Sequence, residues 1–371
     1  QARYNEIVVE LAQLSAQFGN NVIDATKSWG KEIVNKEDLA GMPASALSIA
    51  AAAAGAEDPE AGPWKLSLED TLVVEVLKHA ANRSLREETY KAYVARASDT
   101  NEDVFSKILE LKQEQAELLG FRNYADLSLE SKMAENVQAV VGLLEKMRKV
   151  AYPSAKRELE ALEIFAKNVQ KDDGFSLKLW DVSYWSERQR EELFSYSEEE
   201  LRPYFSLDSV LQGMFSLTKS MFGVEIVETN SFREEKVQLW HKDCRFYSVV
   251  APDTKEVLAS FYLDPFSRPA EKSGGAWMGI CRQRSKLAGT LPVAYLVCNG
   301  SPPVGDKPSL MTLREVTTLF HEFGHGLQHM LTRVGYEGAS GIANVEWDAV
   351  EIPSQFMENW CYHKQTVDKF A

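Results

Sequence analysis

Cysteine is scarce in this chain of 371 residues, and its cysteines are not paired in sequence. Cys244, Cys281, Cys298 and Cys361 lie far apart, and no two of them have C-x-x-C spacing. This spacing argues against a disulfide framework. It indicates reduced, mostly buried thiols in an intracellular protein.

Long apolar runs and blocks of basic residues are also missing. The longest uncharged apolar run, around Ala46 to Ala56, is far shorter than the roughly 20 residues that cross a bilayer, so we predict no transmembrane helix. The chain carries 41 Lys and Arg against 55 Asp and Glu, which gives a formal net charge of −14. Because phosphate binding depends on clustered basic residues, we predict no nucleic-acid partner. The acidic balance favours cationic peptides instead.

Apolar residues at helical spacing dominate the first half of the chain. Ser84, with Glu87 three residues later, fits a capping box that opens one of these helices. The Ala-rich run predicts a short surface helix, and residues 173–197 are aromatic and irregular. The periodicity predicts further helices over 4–24, 103–119, 137–169 and 197–223. We therefore expect a mainly α protein in which residues 1–203 form a helical lobe.

After Gly223 the pattern changes to alternating and β-branched residues, which are typical of strands. We predict a small sheet and assign it to a second region, residues 204–371. Its predicted strands are Trp240 to Val250, Val257 to Leu263, Gly275 to Ile280 and Val293 to Cys298.

The pentapeptide H-E-F-G-H at residues 321–325 follows this sheet in sequence. Thr312 and Glu315 form a capping box that opens the helix carrying it, and apolar residues mark one side of that helix. Residues four apart lie on one helical face, so His321 and His325 reach a single metal ion. Glu322 lies to the side, where it meets water without binding the metal. The pattern therefore predicts a catalytic zinc site.

Such a site needs a third protein ligand. A metzincin pattern would need Gly at 328 and His at 331, where the chain has Gln328 and Leu331. A carboxylate from the stretch 345–360, which we predict to be helical, remains. Its acidic residues are Glu346, Asp348, Glu351 and Glu358. Spacing alone leaves Glu351 and Asp348 as equal candidates.

The run H-E-F-G-H-G-L-Q-H-M-L-T, followed by N-V-E-W-D-A-V-E-I-P-S-Q-F-M-E-N-W-C, resembles the thimet oligopeptidase family of zinc peptidases. The similarity extends to N-N-V-I-D-A-T-K, E-E-L-R-P-Y-F, G-G-A-W-M and P-V-A-Y-L-V-C-N, and it is greatest to the oligopeptidase A branch and its plant organellar relatives. It implies a two-lobed helical metallopeptidase fold with a small sheet beside the zinc-binding helix.

The resemblance also implies roles for individual residues. His321, His325 and Glu351 would bind one Zn²⁺ per chain, and Glu322 would be the general base. Asp348 and Glu358 would be carboxylates that support these ligands. Gly274, Gly275 and Ala276 would lie on a strand that pairs with the substrate backbone. His329 is not used as a ligand in this family, and we assign it a packing role.

The implied activity is hydrolysis of short unstructured peptides, including cleaved targeting peptides, by a monomer in a chloroplast, a mitochondrion or the cytoplasm. Family members extend beyond both Gln1 and Ala371, so we expect this chain to be a fragment. Their C-terminal portion supplies tyrosines and a histidine-bearing Gly-rich loop that bind substrate. The alternative function is a catalytically inactive scaffold that retains the peptidase fold.

Overall fold

A computed structural model describes residues 1–56, 58–195, 198–229, 237–268, 271–272, 274–303 and 308–371 of the protein. The chain divides into two compact units, Gln1–Tyr196 and Ser197–Ala371. The sequence-based boundary after residue 203 stays a prediction about domain organisation. Within the described ranges, no helix combines the length and the apolar character that crossing a bilayer requires.

The first unit consists mainly of helices. A two-stranded antiparallel sheet pairs Gly30 with Ser67 and Ile33 with Trp64, and the sequence did not predict it. The strands are β1 (Gly30–Ile33) and β2 (Trp64–Ser67), and the helices are α1 (Ala2–Ser28), α2 (Ala44–Ala53), α3 (Asp70–His79), α4 (Arg83–Val94), α5 (Ser98–Leu118), α6 (Tyr124–Leu129), α7 (Val137–Gln170) and α8 (Leu179–Phe194).

Three predictions for this unit are wrong in detail. The Ala-rich helix α2 is not on the surface, because Ala46, Ala50 and Ala51 are buried in a core with Trp64 and Leu66. Their small side chains allow close packing. Helix α4 begins at Arg83, and its N-cap is Asn82, whose side chain accepts a hydrogen bond from the Leu85 amide at 3.2 Å.

The third difference is α8, which occupies the segment predicted to be irregular. A capping box at Lys178 and Asp181 opens this helix. Trp185 is buried on its inner side together with Leu162, Ala166 and Phe175. The aromatic residues are therefore packing residues of a regular helix.

Asp181 joins α4 to α8 through a buried ion cluster. Its side chain is 0% exposed and accepts hydrogen bonds from Arg83 Nη2 at 2.6 Å and Arg86 Nη2 at 2.9 Å. The Lys178 amide donates to the same carboxylate at 3.1 Å. Burial opposes ionisation, but the two guanidinium groups outweigh it and hold the pKa of Asp181 below its ordinary value.

The second unit contains a five-stranded sheet with the order β3, β4, β5, β7, β6. Strands β3, β4 and β5 are antiparallel, β5 and β7 are parallel, and β6 runs antiparallel to β7 at one edge. The strands are β3 (Glu225–Glu228), β4 (Arg245–Val250), β5 (Val257–Phe266), β6 (Trp277–Arg282) and β7 (Val293–Gly300). The hairpin of β4 and β5 and the strand at β7 confirm the sequence predictions, except that β4 begins at Arg245 instead of Trp240.

The helices of this unit are α9 (Glu198–Leu201), α10 (Leu207–Phe222), α11 (Leu313–Met330), α12 (Ile352–Glu358) and α13 (Lys364–Val367). Helices α10 and α11 share a core with one face of the sheet. Phe261 of β5 lies edge-on to Phe323 of α11, with ring centroids 5.8 Å apart. Because Phe323 stands between His321 and His325 in sequence, this contact turns both imidazoles away from the core.

Two predicted elements have different limits from those expected. Residues 345–351 form turns, and α12 begins only at Ile352. Pro353 lies in the first turn of α12, where a backbone amide has no partner within the helix, so the proline is compatible with the start of this helix. Gly274, Gly275 and Ala276 precede β6 instead of lying on it. Gly275 has φ +87°, a left-handed conformation that a strand does not contain.

The Asp181 cluster generates a stability prediction. Asp181→Ala should lower the free energy of unfolding of this unit by about 3–5 kcal/mol, because two guanidinium groups lose a buried partner. Chemical denaturation measures this loss. Glu145→Gln, which breaks an exposed ion pair with Arg148, is the control and should change stability by less than about 1 kcal/mol.

The stabilisation by Asp181 should also depend on pH. The folded-state pKa of Asp181 is depressed, so its stabilisation is complete above the unfolded-state pKa of about 3.9 and disappears as pH falls below it. The gap between the unmutated protein and Asp181→Ala should therefore narrow below about pH 4. Equal stability of the two proteins at neutral pH would contradict this account.

Candidate metal centre

Helix α11, which carries the H-E-F-G-H residues, has a capped N-terminus. Thr312 Oγ1 accepts a hydrogen bond from the Glu315 amide at 3.1 Å, and Glu315 accepts one from the Thr312 amide at 2.6 Å. This is the predicted capping box. Ser301 also donates to Glu315 from its amide at 2.8 Å, which ties the end of β7 to the start of α11.

Three candidate ligand atoms meet above this helix. His321 Nε2 and His325 Nε2 lie 3.2 Å and 3.1 Å from the same oxygen, Glu351 Oε2. The ligand atoms of these three residues all lie within 4.8 Å of one another. Zinc bound tetrahedrally at about 2.0–2.1 Å separates its ligands by about 3.3 Å. The separations of 3.2 Å and 3.1 Å to Glu351 Oε2 therefore fit a zinc ion, as does the set of two imidazoles and one carboxylate.

Glu351 reaches the imidazoles from the residue before α12. The Ser354 hydroxyl donates to Glu351 Oε2 at 2.9 Å and to the Glu351 carbonyl at 2.8 Å, which fixes the carboxylate close to its own backbone. The Glu351 side chain is 49% exposed, whereas that of His325 is 10% exposed. The centre is thus open on the side of Glu351 and closed on the side of α11.

Glu358, the last residue of α12, contacts His321 at Nδ1, the ring nitrogen that does not face Glu351. Its Oε1 lies 2.5 Å from His321 Nδ1. A carboxylate accepts, so the ring donates from Nδ1 and leaves the lone pair of Nε2 directed at the cluster. Asp348 is exposed, lies in the turn before Glu351 and is not part of the three-residue group.

Glu322 is buried beside this group, with 5% exposure. Burial raises the pKa of Glu322 to about 7, and the nearby Glu351 carboxylate adds to the shift. His321 and a hydrogen bond from the Met278 backbone oppose it. Burial also lowers the pKa of His325, which keeps this imidazole neutral and able to bind a cation. Acid–base chemistry near neutral pH is therefore available at Glu322.

The profile of peptidase family M3 matches residues 76–371. The chain belongs to peptidase family M3. Peptidases of family M3 are zinc-dependent, which agrees with the ligand set described above.

Curated relatives of this M3 chain include organellar oligopeptidase A of Arabidopsis thaliana and oligopeptidase A of Escherichia coli. Identity to the first is 48%, covering 99% of this chain and 48% of the relative. Identity to the second is 46%, covering 99% of this chain and 54% of the relative. The chain therefore spans about half the length of the curated relatives it matches.

Among solved structures, PZ peptidase A with inhibitor 2 aligns at 15% identity and a TM-score of 0.48. The alignment covers 98% of this M3 chain and 50% of that structure.

Sequence reasoning missed Gly324, where the backbone of α11 closely approaches the first turn of α12. A Cβ atom at this position would lie 2.6 Å from the Pro353 carbonyl oxygen and 2.7 Å from Ser354 Cα. Its position within H-E-F-G-H was a signal that the sequence contains. The residues that it approaches, Pro353 and Ser354, are distant in sequence. The predicted substrate-binding residues Gly274, Gly275 and Ala276 do not belong to the cluster of His321, His325 and Glu351. Asn299 Nδ2 donates a hydrogen bond to the Gly275 carbonyl at 2.5 Å.

Gly324 generates a prediction for metal affinity. Gly324→Ala should displace the start of α12 and carry Glu351 away from His321 and His325, so the Kd for zinc should rise by about tenfold or more. Competition with a chromophoric chelator measures this affinity.

Gly326→Ala is the matched control on the same helix. Its Cβ would meet only side-chain ends, Leu296 Cδ2 at 3.0 Å and Met330 Cε at 3.4 Å, which are able to move. Alanine favours a helix over glycine by about 1 kcal/mol in both variants, so helix propensity does not separate them. Equal zinc affinity in the two variants would contradict the proposed spacing role.

Proposed function

We propose that this chain carries the zinc centre of a metallo-oligopeptidase that hydrolyses peptide bonds in short unstructured peptides. The observation that carries the proposal is the convergence of His321, His325 and Glu351 next to a buried Glu322. The relatives named oligopeptidase A support the substrate class. The cluster supplies the chemistry, and membership of family M3 supplies the reaction type.

His321 Nε2, His325 Nε2 and Glu351 Oε2 would hold one zinc ion per chain. Three protein ligands leave a fourth position open, as catalytic zinc sites require. When bound, zinc supplies Lewis acidity that polarises a peptide carbonyl and acidifies water. Glu358 would hold the tautomer of His321 through the Nδ1 contact at 2.5 Å. We propose no ligand role for Asp348, whose suggested support of the ligands stays a prediction.

Glu322 would act as the general base. With its pKa raised to about 7, the carboxylate takes a proton from the attacking water and passes it to the nitrogen of the leaving amine. The peptide bond is then cleaved without a covalent bond between substrate and protein. Burial of Glu322 strengthens this role, because a desolvated carboxylate is a stronger base than an exposed one.

The edge strand β6 would bind the substrate backbone. It pairs with β7 on one side, and its other edge is directed toward the centre, where the Met278 backbone contacts Glu322. An extended peptide adds to such an edge through main-chain hydrogen bonds that tolerate many sequences. Gly274, Gly275 and Ala276 would extend this edge at the start of β6. We propose a monomer in a chloroplast, a mitochondrion or the cytoplasm.

A pair of carboxylate variants tests the ligand assignment. Glu351→Ala should weaken zinc binding by about a hundredfold or more, because one of three ligands is lost. Asp348→Ala should keep zinc affinity within about tenfold of the unmutated protein. Zinc content after dialysis, measured by emission spectroscopy, separates the two. Loss of zinc from Asp348→Ala and its retention in Glu351→Ala would show that the third ligand is misassigned.

Glu322→Gln tests the general base. The amide preserves shape but does not accept a proton, so zinc content should stay at one ion per chain while cleavage of a quenched fluorescent peptide falls by about 100-fold or more. The unmutated zinc-loaded protein is the reference. Turnover that is unchanged in Glu322→Gln would contradict the role of this residue. No turnover in the reference itself is the result expected of an inactive scaffold.

A further inference from the structure

His329 is a fully buried histidine that the proposed chemistry does not use. It lies on the last turn of α11, one turn after His325, and is 0% exposed. Its Nε2 lies 3.0 Å from the backbone carbonyl oxygen of Arg282, the last residue of β6. A carbonyl oxygen only accepts, so Nε2 carries the proton. Burial lowers the pKa of His329, and backbone contacts with Arg282 and with Val293, the first residue of β7, oppose that shift without cancelling it. The ring is therefore neutral, and its one N–H donor lies at the ends of these two paired strands.

The pairing of β6 with β7 is irregular at the end of β6. The register with β7 shifts between Ile280 and Arg282, so Cys281 has no paired residue on β7. Such a bulge interrupts the ladder of main-chain hydrogen bonds. The Arg282 side chain restores one link by donating from Nε to the Leu291 carbonyl at 2.9 Å. His329 supplies the second link, from α11.

The opposite side of the His329 ring faces the segment that leads to Glu351. A Cβ atom on Gly341 would lie 2.6 Å from His329 Nδ1 and 2.9 Å from His329 Cα. Gly341 also has φ +67°, a conformation that L residues rarely adopt. The backbone at Gly341 therefore lies against Nδ1 and the main chain of His329. His329 is enclosed between β6 and this segment, and its Nε2 proton is directed at Arg282 and not at the metal centre.

We propose that His329 is a positioning residue that fixes the end of the edge strand β6 relative to α11. The Nε2 donor holds the Arg282 carbonyl, and so keeps the peptide-binding edge at a constant distance from His321 and His325. This inference rests on the proposed function, because only a peptidase needs that edge in register with the centre. The role acts through the strand and leaves zinc binding unchanged.

Two substitutions of similar size separate hydrogen bonding from packing. His329→Gln retains an amide nitrogen at a reach close to that of Nε2, whereas His329→Leu fills the space without a donor. Leucine leaves a buried carbonyl unpaired, which favours local opening of the strand end. In the zinc-loaded protein, amide hydrogen exchange of the segment 277–283 should accelerate about tenfold in His329→Leu. It should stay within about twofold of the unmutated rate in His329→Gln.

Steady-state kinetics provides the second readout. His329→Leu should raise KM for a fluorescent peptide about tenfold with kcat within about twofold, since the edge binds substrate and the centre is intact. Zinc affinity should be unchanged in both variants. If His329→Leu does not fold, His329→Asn takes its place, because its amide has the same chemistry as that of Gln but falls short of Arg282.

The outcomes are distinguishable. Faster exchange in His329→Leu with recovery in His329→Gln supports the inference. Unchanged exchange in His329→Leu overturns it, and so does a Gln variant that behaves like the Leu variant, since packing alone would then explain the residue. An unmutated protein that cleaves no peptide would defeat the proposed function instead, while the exchange data would still decide whether His329 holds β6.

Discussion

Helix α11 and the first turn of α12 meet backbone to backbone at Gly324, and the candidate metal centre depends on this contact. No side chain separates the two elements there, since a Cβ atom would lie within 2.6 Å of the Pro353 carbonyl oxygen. The approach brings the residue before α12, Glu351, over the two imidazoles of α11. Ser354 then holds the carboxylate in place. A methyl group added at Gly324 would push α12 away from α11, and we expect this shift to move Glu351 away from His321 and His325.

Parts of this centre follow from local sequence. The spacing of His321 and His325, the capping box at Thr312 and the strand character of β5 and β7 depend on neighbours within a few residues, and patterns reveal such features. The choice between Glu351 and Asp348 depends on how α11 meets α12, which no spacing rule contains. The structure places Glu351 with the imidazoles because residues 345–351 form turns instead of the continuous helix expected.

Burial explains the other differences between sequence and structure. Asp181 lies among the aromatic residues of α8, and the guanidinium groups that hold it ionised, Arg83 and Arg86, lie on α4, far away in sequence. Glu322 has an ordinary sequence context, but its raised pKa comes from enclosure by β6 and α11. Both carboxylates are buried and have opposite pKa shifts. Asp181 has two guanidinium partners, whereas Glu322 has a like-charged neighbour in Glu351.

The strand order of the sheet also has a consequence for how the chain folds. Strand β7 lies between β5 and β6, so β6 does not pair with the strand that precedes it in sequence. It first has a partner when β7 has been synthesised, and the two then form an antiparallel ribbon from contacts close in sequence. Only the β7 side of that ribbon adds to β5, in parallel. A nascent chain that ends before residue 293 therefore contains β6 without the strand that it pairs with.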